Sequence, residues 1–196
     1  DEEWLGHLGR LERHHTKGRQ RGLTYQVVFR RLNACDYGVP QRRERVIIVG
    51  FRGDIRANWS FPEPTHSREA LHRSQWVTGE YWDRHAVSKR NRPIAQSRQL
   101  CLDLPVDGQS GLLPWQTVRD AISDLPDPRT SRNRGISNHV FNPGARSYAG
   151  HTGSPLDEPA KTLKAGDHGV PGGENTLLFP NGELRYFTVR ESARLQ

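Results

Sequence analysis

The chain has 196 residues, enough for one domain or slightly more, and its hydrophobic fraction of 33% predicts a modest core with many loops. Its 29 lysines and arginines exceed its 22 acidic residues, and the resulting formal charge of +7 favours an anionic partner, with nucleic acid first. No apolar run approaches the ~20 residues of a membrane-spanning helix, and the two cysteines exclude a disulfide framework or a zinc motif and predict a cytoplasmic location.

Arginine carries nearly all of the positive charge. The guanidinium group matches phosphate oxygens and guanine edges in pairs, so this bias favours a nucleic-acid partner. A genome rich in G and C would also enrich arginine, and the composition leaves both causes open.

The first elements along the chain are a helix and two strands. A tryptophan and three leucines at helical spacing predict a short amphipathic helix over residues 2–13. Strands are predicted over residues 25–32 and 45–52. The aliphatic centre of the second strand, residues 46–49, predicts burial on both faces within a larger sheet.

The middle of the chain is polar and contains one predicted helix. Residues 53–116 carry scattered aromatic side chains and no predicted element. Thr117 and Asp120 have the N-cap and N3 spacing of a capping box, so a helix is predicted from there to Pro126. Residues 142–176 are rich in Gly, Pro, Asn and His and are predicted to form irregular strands and loops.

The end of the chain predicts a hairpin followed by a helix. Within "LLFPNGELRYF", Asn181 and Gly182 predict a type I′ turn. Thr188 and Glu191 repeat the capping-box spacing and begin a helix that has not ended at Gln196. Because the chain also contains no methionine, we expect a fragment or an excised domain.

Gln41, Arg43 and Arg45 alternate at the start of the second strand. Side chains at such positions of a strand share one face, which predicts a row of one glutamine and two arginines. A buried guanidinium needs phosphate, a base edge or a carboxylate as its partner. The alternative is a solvated strand end with ordinary surface arginines, and the spacing alone leaves both open.

Longer stretches around these residues resemble the DNA cytosine-5 methyltransferases. "LNACDYGVPQRRERVIIVGFR" resembles the Gln-x-Arg-x-Arg motif of that family with its Asn-Ala-x-Asp-Tyr-Gly-x-Pro lead-in. "RYFTVRESARLQ" resembles the later Arg-x-x-Thr-x-Arg-Glu-x-Ala-Arg-Leu-Gln motif, and "GHTGSPLDEPAKTLKAGDHGVPGGEN" resembles the segment before it in bacterial members. The middle of the chain corresponds to the variable target-recognition region by position only.

The resemblance implies an α+β chain with edge strands of a class I methyltransferase sheet and an irregular, loop-rich target-recognition domain. Residues 1–52 would end the catalytic domain, residues 53–187 would form the DNA-binding domain, and residues 188–196 would start a truncated helix that returns to the catalytic domain.

The resemblance also implies S-adenosylmethionine-dependent methylation of C5 of a cytosine flipped out of a specific duplex sequence, in bacterial modification or restriction-modification. Arg43 and Arg45 would line the pocket, and Gln41 would brace them. Four residues of the second motif would organise the recognition domain and contact double-stranded DNA: Arg185, Thr188, Arg190 and Arg194. For Glu191 the capping role is favoured.

The departures from the family are equally informative. The nucleophile of the family is a Cys after Pro, whereas Cys35 follows Ala34 and Cys101 follows Leu100. The Glu-Asn-Val motif and the glycine-rich cofactor loop do not occur either. We therefore expect the isolated chain to bind DNA weakly, to bind no S-adenosylmethionine and to be inactive without the catalytic part of the same enzyme or a partner subunit. The alternatives are the specificity subunit of a split methyltransferase and a non-enzymatic, sequence-specific DNA-binding module.

Two further groups of residues have only weak signals. His139, His151 and His168 are too widely spaced for a metal motif, so no metal site is predicted. The basic stretch 84–98, with Trp76 and Trp82 nearby, is predicted either to touch phosphates or bases or to form a solvated loop.

Overall fold

The computed structural model describes residues 24–55, 58–93, 111–130, 135–147, 149–150, 152–164 and 175–196. The helix expected over residues 2–13, Cys101, His151 and His168 lie outside these residues. The chain divides into two compact units, Asp1–Arg30 with Ile48–Ser60 and Arg31–Ile47 with Phe61–Gln196. Short helices and small sheets give the α+β class that the sequence predicts.

Strands β1 (Tyr25–Asn33) and β2 (Glu44–Arg52) form a two-stranded sheet. The Gly53 amide donates to the Thr24 carbonyl at 2.7 Å, and the Ala34 amide donates to the Arg43 carbonyl at 3.0 Å, so the strands run antiparallel. Both predicted strands are confirmed to within one residue at each end.

The predicted burial of β2 on both faces is wrong for this structure. Val46, Ile47 and Ile48 are 47%, 42% and 63% exposed, and every described residue of β2 is at least partly accessible. Among the described residues, no further strand pairs with this two-stranded ribbon and no helix covers its faces. The aliphatic run therefore indicates a surface suited to packing, although none of the described residues covers it.

A 3₁₀ helix, Ala34–Tyr37, follows β1 within the second unit. The Asn33 side chain accepts the Cys35 amide at its start, and Gly38, with φ +85°, ends it. Glycine is required at this end because the left-handed conformation is costly for other residues.

Two helices form in the polar middle, where the sequence predicted none. They are α1 (Arg68–Trp76), capped by the Ser67 hydroxyl, and α2 (Glu80–Arg84). Strand β3 (His66–Ser67) precedes α1 and pairs in parallel with β4 (Leu113–Pro114). A second 3₁₀ turn covers Lys89–Asn91.

Aromatic burial accounts for these helices. Tyr81 and Trp82 are almost completely buried with Leu71, and Trp76 and Trp115 pack against them. Tyr81 and Trp82 meet edge to face, with ring centroids 4.9 Å apart. The scattered aromatic side chains of the sequence are therefore the core of this part of the chain.

The remaining elements share another core. They are α3 (Val118–Ile122), β5 (Ser154–Pro155), β6 (Thr176–Leu178), β7 (Leu184–Tyr186) and α4 (Val189–Arg194). β5 runs parallel to β6, and β6 runs antiparallel to β7. Both predicted capping boxes are confirmed, although α3 ends before Pro126. The core side chains are those of Val118, Ile122, Ala160, Leu163, Leu177, Phe187 and Leu195.

The predicted hairpin between β6 and β7 is confirmed, but its type I′ turn is wrong. Gly182 has φ +84°, whereas Asn181 is not among the described residues with positive φ. The Gly182 amide donates to the Phe179 carbonyl and the Phe179 amide to the Glu183 carbonyl, both at 2.9 Å, which gives a three-residue loop. Pro180, with its fixed φ, suits the first central position, so the turn begins one residue earlier than predicted.

Candidate nucleic-acid interface

The first motif is anchored by Gln41, which is only 1% exposed. Its side-chain Nε2 donates to the Leu195 carbonyl at 3.1 Å, across 154 positions of sequence. On either side of Gln41, the Ala160 amide donates to the Pro40 carbonyl at 2.9 Å and the Arg42 amide donates to the Ala160 carbonyl at 2.7 Å. The turn before β2 is thus fixed both to the end of α4 and to the segment around Ala160.

Arg43 and Arg45 project from this anchored turn as exposed side chains. The Arg45 Nη1 donates to the Glu44 carbonyl at 2.6 Å, and the Arg43 guanidinium has no partner among the described residues. The expected row on one strand face is wrong, because β2 begins only at Glu44 and Gln41 points inward. Gln41 therefore fixes the backbone that carries the arginines, and its side chain forms no hydrogen bond with theirs.

Arg42, between the anchor and the exposed arginines, is held at both ends. Its guanidinium forms an ion pair with Glu158, and its carbonyl accepts the Thr162 hydroxyl at 2.7 Å. The segment 158–162 therefore contacts the motif in three ways. Glu158 supplies an ion pair, Ala160 supplies backbone hydrogen bonds, and Thr162 supplies a hydroxyl donor.

Cys35, inside the same motif, is fully buried. Burial raises the pKa of its thiol to about 12, and the charge of Arg42 offsets only part of this effect. A thiol in this state is not a thiolate nucleophile at neutral pH. Cys35 is therefore a small side chain packed in the interior of this part of the fold.

In the second motif, Arg185 and Thr188 lie in the interior. Arg185 is 5% exposed, and its two terminal nitrogens donate to the two oxygens of Glu191 at 2.7 and 2.6 Å. Glu191 also accepts the Thr188 amide at 2.8 Å, and the Thr188 hydroxyl contacts Nδ1 of His139 at 3.0 Å. This network joins β7 to the start of α4 through charges that are paired as well as buried.

Arg190 and Arg194, the other two predicted contacts, lie nearer to the surface of α4. The Nε of Arg190 donates to the Ser137 carbonyl at 3.0 Å. Arg194 donates to the Ala121 carbonyl at 3.2 Å and forms an ion pair with Asp124. Each guanidinium has five N–H donors, so both retain donors for an external anion.

A buried polar cluster that the sequence did not reveal joins the middle helices to the motif. Asp157 accepts the Tyr81 hydroxyl at 2.9 Å and the Arg119 Nε at 2.6 Å, while its carbonyl accepts Nε2 of Gln75 at 2.7 Å. Burial, followed by the charge of Asp157, raises the pKa of Tyr81, which therefore stays a neutral donor. The one signal in the sequence is that Asp157 lies within the quoted segment before the second motif.

The described residues offer no metal site and do not fit S-adenosylmethionine, the cofactor that the resemblance implies for the complete enzyme. No group of three or more His, Cys, Asp or Glu side chains there suits a metal ion. An S-adenosylmethionine site would need a glycine-rich turn between a strand and a helix, whereas β3 leads directly into α1 through Ser67. The residues that the structure describes therefore do not fit this cofactor.

No helix among the described residues is long and apolar enough to cross a membrane.

The fold and the motif together define an α+β protein with a glutamine-anchored arginine turn. The family model for C-5 cytosine-specific DNA methylases matches residues 14–196, and the chain belongs to this family. The resemblance seen in the sequence is thereby confirmed.

Three curated relatives match over 88% of this chain. The Type II methyltransferase M.BspRI of Lysinibacillus sphaericus is 64% identical, M.BsuRI of Bacillus subtilis 30%, and M.NgoFVII of Neisseria gonorrhoeae 32%. The chain spans 32% of the length of each of the first two and 40% of the third. No solved structure gave a significant match.

Proposed function

We propose that this chain supplies the DNA-recognition part and the pocket arginines of a C-5 cytosine DNA methyltransferase. The complete enzyme would use S-adenosylmethionine to methylate a cytosine flipped out of duplex DNA, in a cytoplasmic modification or restriction-modification system. The observation that carries this proposal is the pair of exposed arginines, Arg43 and Arg45, beyond a turn that is fixed on both sides of Gln41.

Gln41 is the positioning residue in this proposal, and Arg43 and Arg45 are the contacts. In a DNA titration at several salt concentrations, Arg43→Gln and Arg45→Gln should each reduce the log–log salt slope by ~0.9 if each arginine neutralises one phosphate. Gln41→Ala should weaken binding without that change in slope, because both charges remain while the backbone that carries them loosens. Unchanged binding in all three variants would contradict the assignment.

Arg185 and Thr188 serve recognition indirectly in this proposal, by fixing α4 against β7. Arg190 and Arg194 make the contacts with the DNA backbone, since they retain free donors near the surface. Arg190→Gln and Arg194→Gln should weaken DNA binding and lower the melting temperature less than Arg185→Gln does, because their own contacts lie near the surface. Arg185→Gln should lower the melting temperature, and its effect on DNA binding should disappear under conditions where the variant is fully folded.

The isolated chain should transfer no methyl group, because Cys35 is buried with a pKa of about 12 and the described residues do not fit the cofactor. The test is incubation of the purified chain with duplex DNA and methyl-labelled S-adenosylmethionine. Label in the DNA that persists in a Cys35→Ser variant would show that another part of the chain is catalytic.

The exposed β1–β2 ribbon supports the need for a further catalytic part. Val27 and Phe29 on β1 are 53% and 38% exposed, and Ile48 on β2 is 63% exposed. Covering such side chains contributes ~25 cal/mol per Å² of apolar surface, so a ribbon of this kind favours a packing partner. The catalytic part of the same enzyme, or a partner subunit, is the occupant that we propose.

Complementation tests this partner directly. The part of M.BspRI that this chain does not match, added as a separate polypeptide, should restore methylation to the chain. Ile48→Glu should prevent this restoration without changing the melting temperature of the chain alone. Val140→Glu, at a side chain that is 73% exposed and lies outside the ribbon, is the matched control and should leave restoration intact. Sequence-specific DNA binding without any restoration would instead favour a non-enzymatic binding module.

A further inference from the structure

A groove of about 1060 Å³ crosses the second unit and plays no part in the proposed pocket. We call it the α1 groove. Six of the side chains that line it matter here: Arg68, His72, Trp76, Arg90, Trp115 and Phe179. They come from α1, from the 3₁₀ turn after α2, from the segment following β4 and from the β6–β7 hairpin.

The charges of the α1 groove are unbalanced. Most charged side chains that line it are paired within the protein: Arg42 with Glu158, Arg92 with Asp83, and Asp157 with Arg119. Arg68 and Arg90 are exposed, and neither has an ion-pair or hydrogen-bond partner among the described residues. Two guanidinium charges are thus available to a ligand at the groove.

The acidic side chains that line the groove, Asp157 and Glu158, are already paired with Arg119 and Arg42 and do not pair with these arginines. Burial, and then the charge of Arg68, lower the pKa of His72, so its imidazole is neutral at pH 7 and can still donate through one ring nitrogen. Trp76 and Trp115 are half-buried and give the groove an apolar wall. A site with free guanidinium groups beside aromatic carbon suits a phosphodiester backbone, which presents phosphates separated by sugars.

We propose that the α1 groove is a second DNA-contact surface, in which Arg68 and Arg90 hold backbone phosphates of duplex DNA that flanks the target cytosine. This inference rests on the proposed function and adds a contact outside both sequence motifs. A polyanion is favoured over a single small anion because the two arginines come from separate elements and line a groove far larger than one phosphate.

A charge-matched comparison tests the groove. The full chain is titrated with a labelled mixed-sequence DNA duplex at several salt concentrations, alongside the double variant Arg68→Gln/Arg90→Gln. The control is Arg73→Gln/Lys89→Gln, which removes two exposed charges from the same α1 helix and the same 3₁₀ turn but lies outside the groove. A third protein, Arg43→Gln/Arg45→Gln, tests the proposed pocket in parallel.

The groove variant should lose affinity and reduce the log–log salt slope by ~1.8, about 0.9 for each phosphate contact, while the control keeps the wild-type slope. Equal slopes for the groove variant and its control, with weaker binding by Arg43→Gln/Arg45→Gln, would overturn the groove and leave the proposed function standing. No binding by the wild-type chain would overturn both. Melting temperatures of all variants exclude loss of fold as the cause.

Discussion

Glu191→Gln should destabilise the second unit by ~3 kcal/mol or more. Arg185 is 5% exposed, and both terminal nitrogens of its guanidinium donate hydrogen bonds to the Glu191 carboxylate. The substitution removes the negative charge of that carboxylate. Removal of one partner from a buried ion pair typically costs ~3–5 kcal/mol. Glu191 also accepts the Thr188 amide at the start of α4, and a weakened cap adds up to ~1 kcal/mol.

The assay is urea denaturation at pH 7, followed by tryptophan fluorescence, because Trp82 is buried in the second unit and reports its unfolding. Glu183→Gln is the matched control, because it makes the same chemical change in an exposed ion pair. Glu183 and its partner Arg129 are 39% and 40% exposed. Exposed pairs contribute ~0–1 kcal/mol, so the control should stay close to wild type.

A double-mutant cycle separates loss of the pair from loss of volume. Arg185→Met removes the cation that Glu191→Gln leaves without a partner, so the double variant should be more stable than the sum of the two single losses predicts. A cost below ~1 kcal/mol for Glu191→Gln, or two losses that are simply additive, would refute a buried and paired charge at Arg185. Either result would mean that water or a rearranged side chain already solvates the Arg185 charge.

Three other substitutions or treatments test local features. Gly38→Ala should cost ~1 kcal/mol more than Gly144→Ala in urea denaturation: the two φ angles are +85° and +87°, but only at Gly38 would a β-carbon meet a histidine ring, 2.8 Å away. Alkylation of Cys35 in the native chain should be about a thousandfold slower than that of a free thiol, because its pKa is raised to about 12. Asp127→Asn should cost less than ~1 kcal/mol at pH 7, because the Arg129 guanidinium holds the pKa of Asp127 at about 2 but both side chains are more than a third exposed. Since the folded-state pKa lies below the unfolded value, this contribution should be complete above about pH 4 and disappear as pH falls through 2.

Each of these expectations has a clear contrary result. Equal losses for the two glycine variants would show that the close contact relaxes freely. Alkylation of Cys35 at the rate of the unfolded chain would show that the thiol opens to solvent. A difference between wild type and Asp127→Asn that persists unchanged down to pH 2 would show that the ion pair is not its source.

The parts of the fold that the sequence predicted are those set by local chemistry. The β1 and β2 bounds follow from short hydrophobic runs, and both capping boxes follow from a threonine three residues before an acidic side chain. Helices α1 and α2 were missed because they are nine and five residues long and depend on burial of Tyr81 and Trp82, which is a tertiary effect. The hairpin turn was misplaced because Pro180 outweighs the Asn-Gly signal.

The site was predicted less completely, because its decisive contacts are distant in sequence. The motifs identified Gln41 and Arg185, but not that Gln41 donates to a carbonyl 154 positions away or that Arg185 points inward to Glu191. Alternation predicts which side chains share a strand face only within the strand, and Gln41 lies before β2. Motif spacing thus singled out these residues, whereas the packed structure shows which of their side chains are buried and paired and which are exposed.

The same contacts connect the middle helices to the arginine turn before β2. Asp157 is held by Tyr81 of α2 and by Arg119 of α3, and the next residue, Glu158, is paired with Arg42. The middle helices are therefore connected to the arginine turn through two adjacent acidic residues. Asp157 is mostly buried between the helices, and Glu158 lies at the surface. These contacts link the packing of the middle helices to the backbone that carries Arg43.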